Sequence, residues 1–169
     1  MGEEEKHRSR VLEYCKDNTI DLGSSGTPIV PHAIQIDLPE KEYHIYNSTR
    51  PPVPIQWRGS ALDLPFKNET VDALHASHLI EDWSDWGPPL KEWTRVLKRG
   101  GFLIIALPSR ERFRRAVSNG QPDNLSHRRE SAGPGELSHL LGASYEVIFD
   151  NFVNDSATEY SILFVGKKK

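Results

Sequence analysis

The sequence predicts an α/β fold: a mostly parallel sheet with helices on both faces and a terminal antiparallel pair of strands. Three observations carry this expectation. Between residues 19 and 107, short apolar stretches of strand length alternate with turns and one amphipathic helix. Phe102-Leu103-Ile104-Ile105-Ala106-Leu107 is apolar without interruption, as expected of a strand covered on both faces. Two further strand-like runs, Tyr145 to Phe152 and Tyr160 to Gly166, are joined by Val153-Asn154-Asp155-Ser156-Ala157, a plausible hairpin connection.

The elements follow in order. Residues 3–16 open with acids and continue with bases, which suits a helix dipole, and their few apolar positions (Val11, Leu12, Tyr14, Cys15) predict packing at the domain edge. Thr19 to Leu22 reads as a strand stopped by Gly23-Ser24-Ser25-Gly26, and His32 to Asp37 as a second strand. Pro51, Pro52 and Pro54 force extended backbone, so no helix is expected over 39–54. Ile55 to Arg58 and Val71 to Ala76 read as the third and fourth strands. In residues 85–98, Leu90, Trp93, Val96 and Leu97 recur at helical spacing. Pro88 and Pro89 fit the first turn of that helix, and Gly100-Gly101 would end it. Residues 108–133 are polar, with scattered Gly and Pro, and form a candidate lid loop. Pro134 to Leu141 predicts a helix with Leu137, Leu140 and Leu141 on one side, and the tail Lys167-Lys168-Lys169 is expected to be solvated.

Composition sets the function classes. A chain of 169 residues is the size of one domain, taken here as 1–169 with an N-terminal helix over 1–17. The 21 Lys+Arg against 24 Asp+Glu give a net charge of -3, with no overall drive toward nucleic acid or anionic membrane. The single cysteine, Cys15, excludes an internal disulfide framework and a multi-cysteine zinc site. No apolar run approaches the roughly 20 residues that span a bilayer, and the N-terminus lacks the apolar core of a signal peptide. A cytoplasmic location is the expectation.

In an α/β sheet the ligand sits beyond the carboxyl ends of the strands, near the switch in strand order. Four segment ends therefore matter. Asp21-Leu22-Gly23-Ser24-Ser25-Gly26 could let backbone approach a ligand, or be a plain glycine turn. Asp37 could accept two ribose hydroxyls, or simply end its strand before Pro39. The third segment is Arg58-Gly59-Ser60-Ala61-Leu62-Asp63-Leu64-Pro65-Phe66, followed by Val71-Asp72-Ala73-Leu74. The fourth is Ser77-His78-Leu79-Ile80-Glu81-Asp82-Trp83, followed by the helix ending Arg95-Val96-Leu97-Lys98-Arg99-Gly100-Gly101.

The stretch from Gly59 to Pro108 resembles the class I S-adenosylmethionine-dependent methyltransferases, in the subset reading G-D-A-x-x-L-P-F, F-D-x-V, H-x-L-E-H and R-V-L-K-P-G-G. The resemblance extends more weakly over 19–38 and 127–166, and implies a Rossmann-like seven-stranded sheet with S-adenosylmethionine as cofactor and S-adenosylhomocysteine as product. It implies that Gly23, Ser24, Ser25 and Gly26 lie under the methionine part and that Asp21 orients its amino group, directly or through water. Asp37 would bind the ribose, with Leu38 against the adenine and Ser60, Ala61 and Leu62 framing its edge. Ser77 and His78 would lie beneath the sulfonium. The sequence departs from the pattern in four places. Ser25 stands where glycine is common, Ser60 where aspartate is usual, Asp82 in place of the second histidine and Arg99 in place of proline. Only ten residues separate Gly26 from Asp37, with Pro28 and Pro31 among them, so the first crossover must be shortened.

Methyl transfer needs a general base only when the acceptor arrives protonated. His78 and Asp82 are the candidates, against a packed histidine and a helix-capping aspartate. His75 and His78 with Glu81 suggest a metal set at first glance. Strand positions three apart point to opposite faces, however, so no metal is expected. Trp83 and Trp86 would line the substrate mouth or pack under the following helix. Between 110 and 130 six arginines face three acids, which could draw an anionic substrate or form a solvated charged loop. No Asn-Pro-Pro-Tyr or Asp-Pro-Pro-Tyr follows the fourth strand, so the resemblance does not point to nucleic-acid amino methyltransferases. The expected function is transfer of a methyl group to a small molecule or glycoconjugate, with a homodimer or a partner completing the site. The alternative is a non-catalytic methyltransferase-like domain that binds a ligand or partner. A nicotinamide oxidoreductase is disfavoured because Gly-x-Gly-x-x-Gly is absent.

Overall fold

A computed structural model describes residues 3–39 and 55–169. The expectation for 40–54, with its three prolines, lies outside the described residues. Helix α1 spans Glu3–Val11, and a single tighter turn follows at Leu12–Tyr14. The strands are β1 (Thr19–Leu22), β2 (Ile34–Asp37), β3 (Trp57–Arg58), β4 (Val71–Ser77), β5 (Leu97–Pro108), β6 (Tyr145–Phe152) and β7 (Ser161–Lys168). Helices α2 (Gly87–Val96), α3 (Arg110–Ser118) and α4 (Glu136–Leu141) lie among the later strands.

Among the described residues seven strands form one sheet, in the order β3-β2-β1-β4-β5-β7-β6. The first five are parallel, and β7 runs antiparallel to both β5 and β6. The expected architecture is therefore present, with strand order reversing between β1 and β4.

Alternation along the central strands sends side chains to two cores. Ile20, Leu22, Leu74, Ala76, Leu103, Ile105 and Phe164 face the core that α2 and α4 cover with Leu90, Trp93, Val96, Leu137 and Leu141. Ile104, Ala106, Leu163 and Val165 face the other, which Val11, Cys15, Ile29, Val30 and Ala33 complete. Helix α1 therefore lies over a sheet face rather than at an edge, correcting the reading from its sparse apolar residues. Two or three buried anchors suffice because the β1–β2 crossover supplies Ile29 and Val30 beside it. That crossover consists of turns, without a helix, as its length and prolines require.

Other boundaries differ from expectation. Helix α2 ends at Val96, and Gly100-Gly101 belong to β5, where Gly100 takes a φ of +76°. The three-residue mismatch between β4 and β5 (Val71 opposite Leu97, Ala73 opposite Phe102) is absorbed there. Residues 110–118, read as polar loop, are helical. Its apolar residues Phe113, Ala116 and Val117 stand at helical spacing but are outnumbered by four arginines and a glutamate, and only Phe113 is buried. Helix α4 starts at Glu136, and its Leu140 is about half exposed while Leu137 and Leu141 are buried. The basic tail is not simply solvated. Lys167 and Lys168 extend β7, and Lys168 Nζ donates to the carbonyls of Thr94 and Leu97, which lie at the end of α2.

Candidate active site

The loop after β1 is shaped by backbone hydrogen bonds. Gly23 N–H donates to Ile36 O at 2.8 Å, tying the loop to β2. Gly23, Ser25 and Gly26 all have positive φ (+69°, +49°, +83°). A Cβ at Gly23 would come within 3.3 Å of Leu79, whereas Ser25 adopts the left-handed region despite its side chain. Ser25 N–H donates to Asp37 Oδ2 at 3.1 Å, and Ser24 Oγ donates to Gln35 Oε1 at 2.9 Å.

Asp37 ends β2, and its Oδ1 accepts from Leu38 N–H at 2.8 Å. Burial raises its pKa above the ordinary carboxylate value, opposed by these two N–H donors and by Arg58. Beyond β3, Gly59 N–H returns to Asp37 O at 2.9 Å, and a Cβ at Gly59 would meet Trp57 Nε1 at 2.8 Å. Ser60 Oγ accepts from Leu62 N–H at 3.1 Å. Helix α2 braces this turn: Trp93 Nε1 donates to Ala61 O at 2.9 Å, and Glu92 Oε1 accepts from Leu64 N–H at 2.7 Å. Arg95 binds Glu92 and the carbonyls of Leu64 and Phe66. Of these side chains the helical spacing in the sequence places only Trp93, on the apolar face; Glu92 and Arg95, three apart and of opposite charge, are the signal that could have marked the brace.

These elements enclose a cleft of about 220 Å³. Gly23 enters it from β1, Ile36, Asp37 and Leu38 from β2, Gly59 to Leu62 from the turn after β3, and Leu79, Asp82 and Trp83 from beyond β4. Seven of the expected site residues thus meet: Gly23, Asp37, Leu38, Ser60, Ala61, Leu62 and Asp82. Ser24, Ser25, Gly26, Ser77 and His78 are not in the lining. Trp83 is at the cleft, while Trp86 is packed in the core.

Asp21 faces the opposite side of the sheet. Its Oδ1 lies 2.6 Å from His75 Nδ1, and its Oδ2 accepts from Ile29 N–H at 2.7 Å. Both oxygens are thus engaged away from the cleft. His78 has a φ of +50°, its Nε2 lies 3.1 Å from Ser161 Oγ, and its Nδ1 lies 3.3 Å from Glu81 Oε1. Ser77 Oγ is buried without a hydrogen-bond partner.

Asp82 Oδ1 accepts from Ser126 Oγ at 2.7 Å, and burial, aided by the Glu81 charge, raises its pKa. The N–H groups of Arg128 and Arg129 donate to Glu81 O at 2.7 and 3.0 Å, so residues 126–129 are fastened to the end of β4. Much of the arginine excess is consumed internally. Arg114 pairs with Asp123 and Glu130, Arg115 with Glu111 and Arg129 with Glu136, while Arg112 binds Glu159 O and covers the Phe152 ring.

Residues 18–105, just over half the chain, match the sequence model of a family described as a methyltransferase domain. The chain belongs to the class I S-adenosylmethionine-dependent methyltransferase family. The methyltransferase match contains the cleft residues from β1, β2, the turn after β3 and the end of β4. No curated protein matches the sequence. Among solved structures, an S-adenosylmethionine-dependent methyltransferase from Thermotoga maritima is 22% identical, with 98% of this chain and 88% of that one covered and a TM-score of 0.67. A methyltransferase from Haloferax volcanii, in complex with the Trm112 methyltransferase activator, is 17% identical, with 96% and 88% covered and a TM-score of 0.66. Magnesium protoporphyrin IX methyltransferase from Synechocystis PCC 6803, with bound S-adenosylhomocysteine, is 9% identical, with 98% and 82% covered and a TM-score of 0.62. At these identities the likeness shows the fold. Among the described residues no cluster of His, Cys, Asp and Glu could hold a metal ion, and no helix is long and apolar enough to cross a membrane.

Proposed function

We propose that residues 1–169 act as one methyltransferase domain that binds S-adenosylmethionine in the cleft and transfers its methyl group to a small-molecule acceptor. The observation that carries this is the convergence of Asp37, Leu38 and Ser60 to Leu62 on one cleft at the switch in strand order. The cleft fits the cofactor chemically. Asp37 is a carboxylate at a strand end, and each of its oxygens keeps accepting capacity for ribose hydroxyls beyond its one backbone N–H. Leu38, Ala61 and Leu62 offer apolar contact for a base, and Gly23 leaves space that a side chain would take from Leu79.

When bound, the cofactor supplies an electrophilic methyl on a sulfonium, and displacement leaves a neutral thioether. The chain's task is to align the acceptor, exclude water and receive a proton. Asp82 lines the cleft with a raised pKa and suits the last role better than His78, whose ring nitrogens face Ser161 and Glu81. Residues 108–133 serve as the cover on the acceptor side, supported by the fastening of 126–129 to Glu81 and Asp82. A protein partner remains compatible with this reading, given the activator complex of the Haloferax methyltransferase.

The test is transfer of labelled methyl from S-adenosylmethionine to a panel of amine, hydroxyl, thiol and carboxylate acceptors. Turnover is expected with at least one class, and Asp82→Asn should lower kcat about 10²–10⁴-fold with S-adenosylhomocysteine affinity kept. Cofactor binding without turnover on any acceptor, with or without candidate partners, would favour the non-catalytic binding domain.

A further inference from the structure

Inside the sheet, on the face covered by α1, lies a polar chain that the cleft does not use. Asp21 on β1 and His75 on β4 are register partners on adjacent parallel strands. Their side chains meet on that face, His75 Nδ1 to Asp21 Oδ1 at 2.6 Å. His7 of α1 completes the chain, its Nε2 lying 2.9 Å from His75 Nε2. All three residues are at most 1% exposed. With Asp21 ionised, its oxygens only accept, so His75 Nδ1 carries a proton. In the tautomer with Nδ1–H alone, His75 Nε2 is the acceptor and His7 Nε2–H the donor.

The other Asp21 oxygen accepts from Ile29 N–H at 2.7 Å. Helix α1 also holds this crossover directly, since Arg8 Nη1 donates to Pro28 O at 2.9 Å and to Ile29 O. The N–H of Ile29 is therefore fixed through His7–His75–Asp21 and its carbonyl through Arg8. From Ile29 the chain runs back through Gly26 to Ser25, whose N–H orients Asp37 at the cleft. The crossover has no helix of its own to stiffen it.

We propose that His7 and His75 are positioning residues of the cofactor site, through which α1 sets the conformation of the 23–29 loop. Neither touches the cleft, and α1 here does the bracing that a crossover helix would otherwise do. The effect on affinity rests on the cofactor reading above, whereas the coupling of α1 to the loop does not.

The test compares wild type, His7→Leu, His7→Gln and Arg8→Met. Amide hydrogen exchange is read at residues 23–29 and, as a reference, at Ile104 and Leu163 of the central strands. Binding is read by calorimetry with S-adenosylhomocysteine. In His7→Leu, exchange over 23–29 should quicken about tenfold or more while the reference amides stay within about twofold. The dissociation constant should rise about tenfold, and His7→Gln, which restores a donor, should recover most of it. Nitrogen-15 shifts should show His75 protonated at Nδ1 and bare at Nε2 in wild type. Arg8→Met, on a partly exposed side chain, should loosen the same loop amides and serves if His7→Leu does not fold. Unchanged exchange at 23–29, or equal quickening at Ile104 and Leu163, would overturn the proposal, as would failure of His7→Gln to recover. Absence of wild-type binding to S-adenosylhomocysteine would sink the cofactor reading instead, and the exchange data would still decide the coupling.

Discussion

Replacing Gly23 by alanine should damage the fold and the cleft together. The residue sits at φ +69°, held there by its N–H bond to Ile36 O, so the loop cannot relax by rotating that peptide freely. An L-residue in the left-handed region costs about 1–2 kcal/mol. The new methyl would also press on Leu79 at 3.3 Å, closer than ordinary contact, and Leu79 lines the cleft. The strain alone, about 1–2 kcal/mol, corresponds to a fall in Tm of about 2–8 °C for a chain of this size, and the contact with Leu79 adds to it. Because Leu79 must move, affinity for S-adenosylhomocysteine should fall about tenfold as well. Gly120→Ala is the matched control. Gly120 has a φ of +98°, and a methyl added there would meet nothing within 4 Å, so it carries the strain alone. Differential scanning calorimetry and titration calorimetry on both variants separate the two effects. If Gly23→Ala keeps wild-type Tm and affinity, or if Gly120→Ala weakens binding equally, the reasoning about this loop is wrong.

Acidification should weaken cofactor binding in a defined direction. Burial raises the Asp37 pKa above 3.8, so its carboxylate becomes protonated, and its ability to accept from two ribose hydroxyls is lost, at a higher pH than for an exposed aspartate. The same shift means that the unliganded fold gains stability from Asp37 as pH falls through its folded pKa, while Asp37→Asn, whose amide nitrogen cannot accept the second of the two backbone N–H bonds, should bind poorly at pH 7. Affinity that is flat down to pH 4 would contradict this. Trp93→Phe removes the indole donor to Ala61 O and should cost about 1 kcal/mol plus packing, whereas Trp93→Ala should cost about 3–5 kcal/mol, read by chemical denaturation. Cys15 is buried and its thiol is pushed up to about 12, so a thiol reagent at pH 8 should label it only after unfolding. Rapid stoichiometric labelling of the native chain would refute that.

Much of this architecture is written locally. The run 102–107 announces a central strand because burial on both faces leaves no room for polar residues. Asp37, Leu38 and Ser60 to Leu62 were placed by their positions after strands, which is where an α/β sheet puts its ligand. What the sequence hid depends on contacts between distant residues. In sequence His75 suggests only a metal set with His78 and Glu81 that strand geometry disfavours; its partners show once β4 is set beside β1, which puts Asp21 against it and His7 above it. Helix α3 escaped notice because eight of its nine residues need no burial, and arginine–glutamate pairing such as Arg115 with Glu111 supports it instead. The arginine excess suggested an anion site because composition cannot show that Arg112 and Arg114 are already engaged by Glu159 O, Asp123 and Glu130.

The central claim is that the cleft ending at Asp37 binds S-adenosylmethionine. Titration calorimetry of wild type and Asp37→Ala with S-adenosylhomocysteine at pH 7 tests it most directly. Wild type should show one binding event per chain and Asp37→Ala no measurable binding, with the variant still folded by circular dichroism. Silence of wild type at millimolar ligand, or undiminished binding by Asp37→Ala, would contradict it.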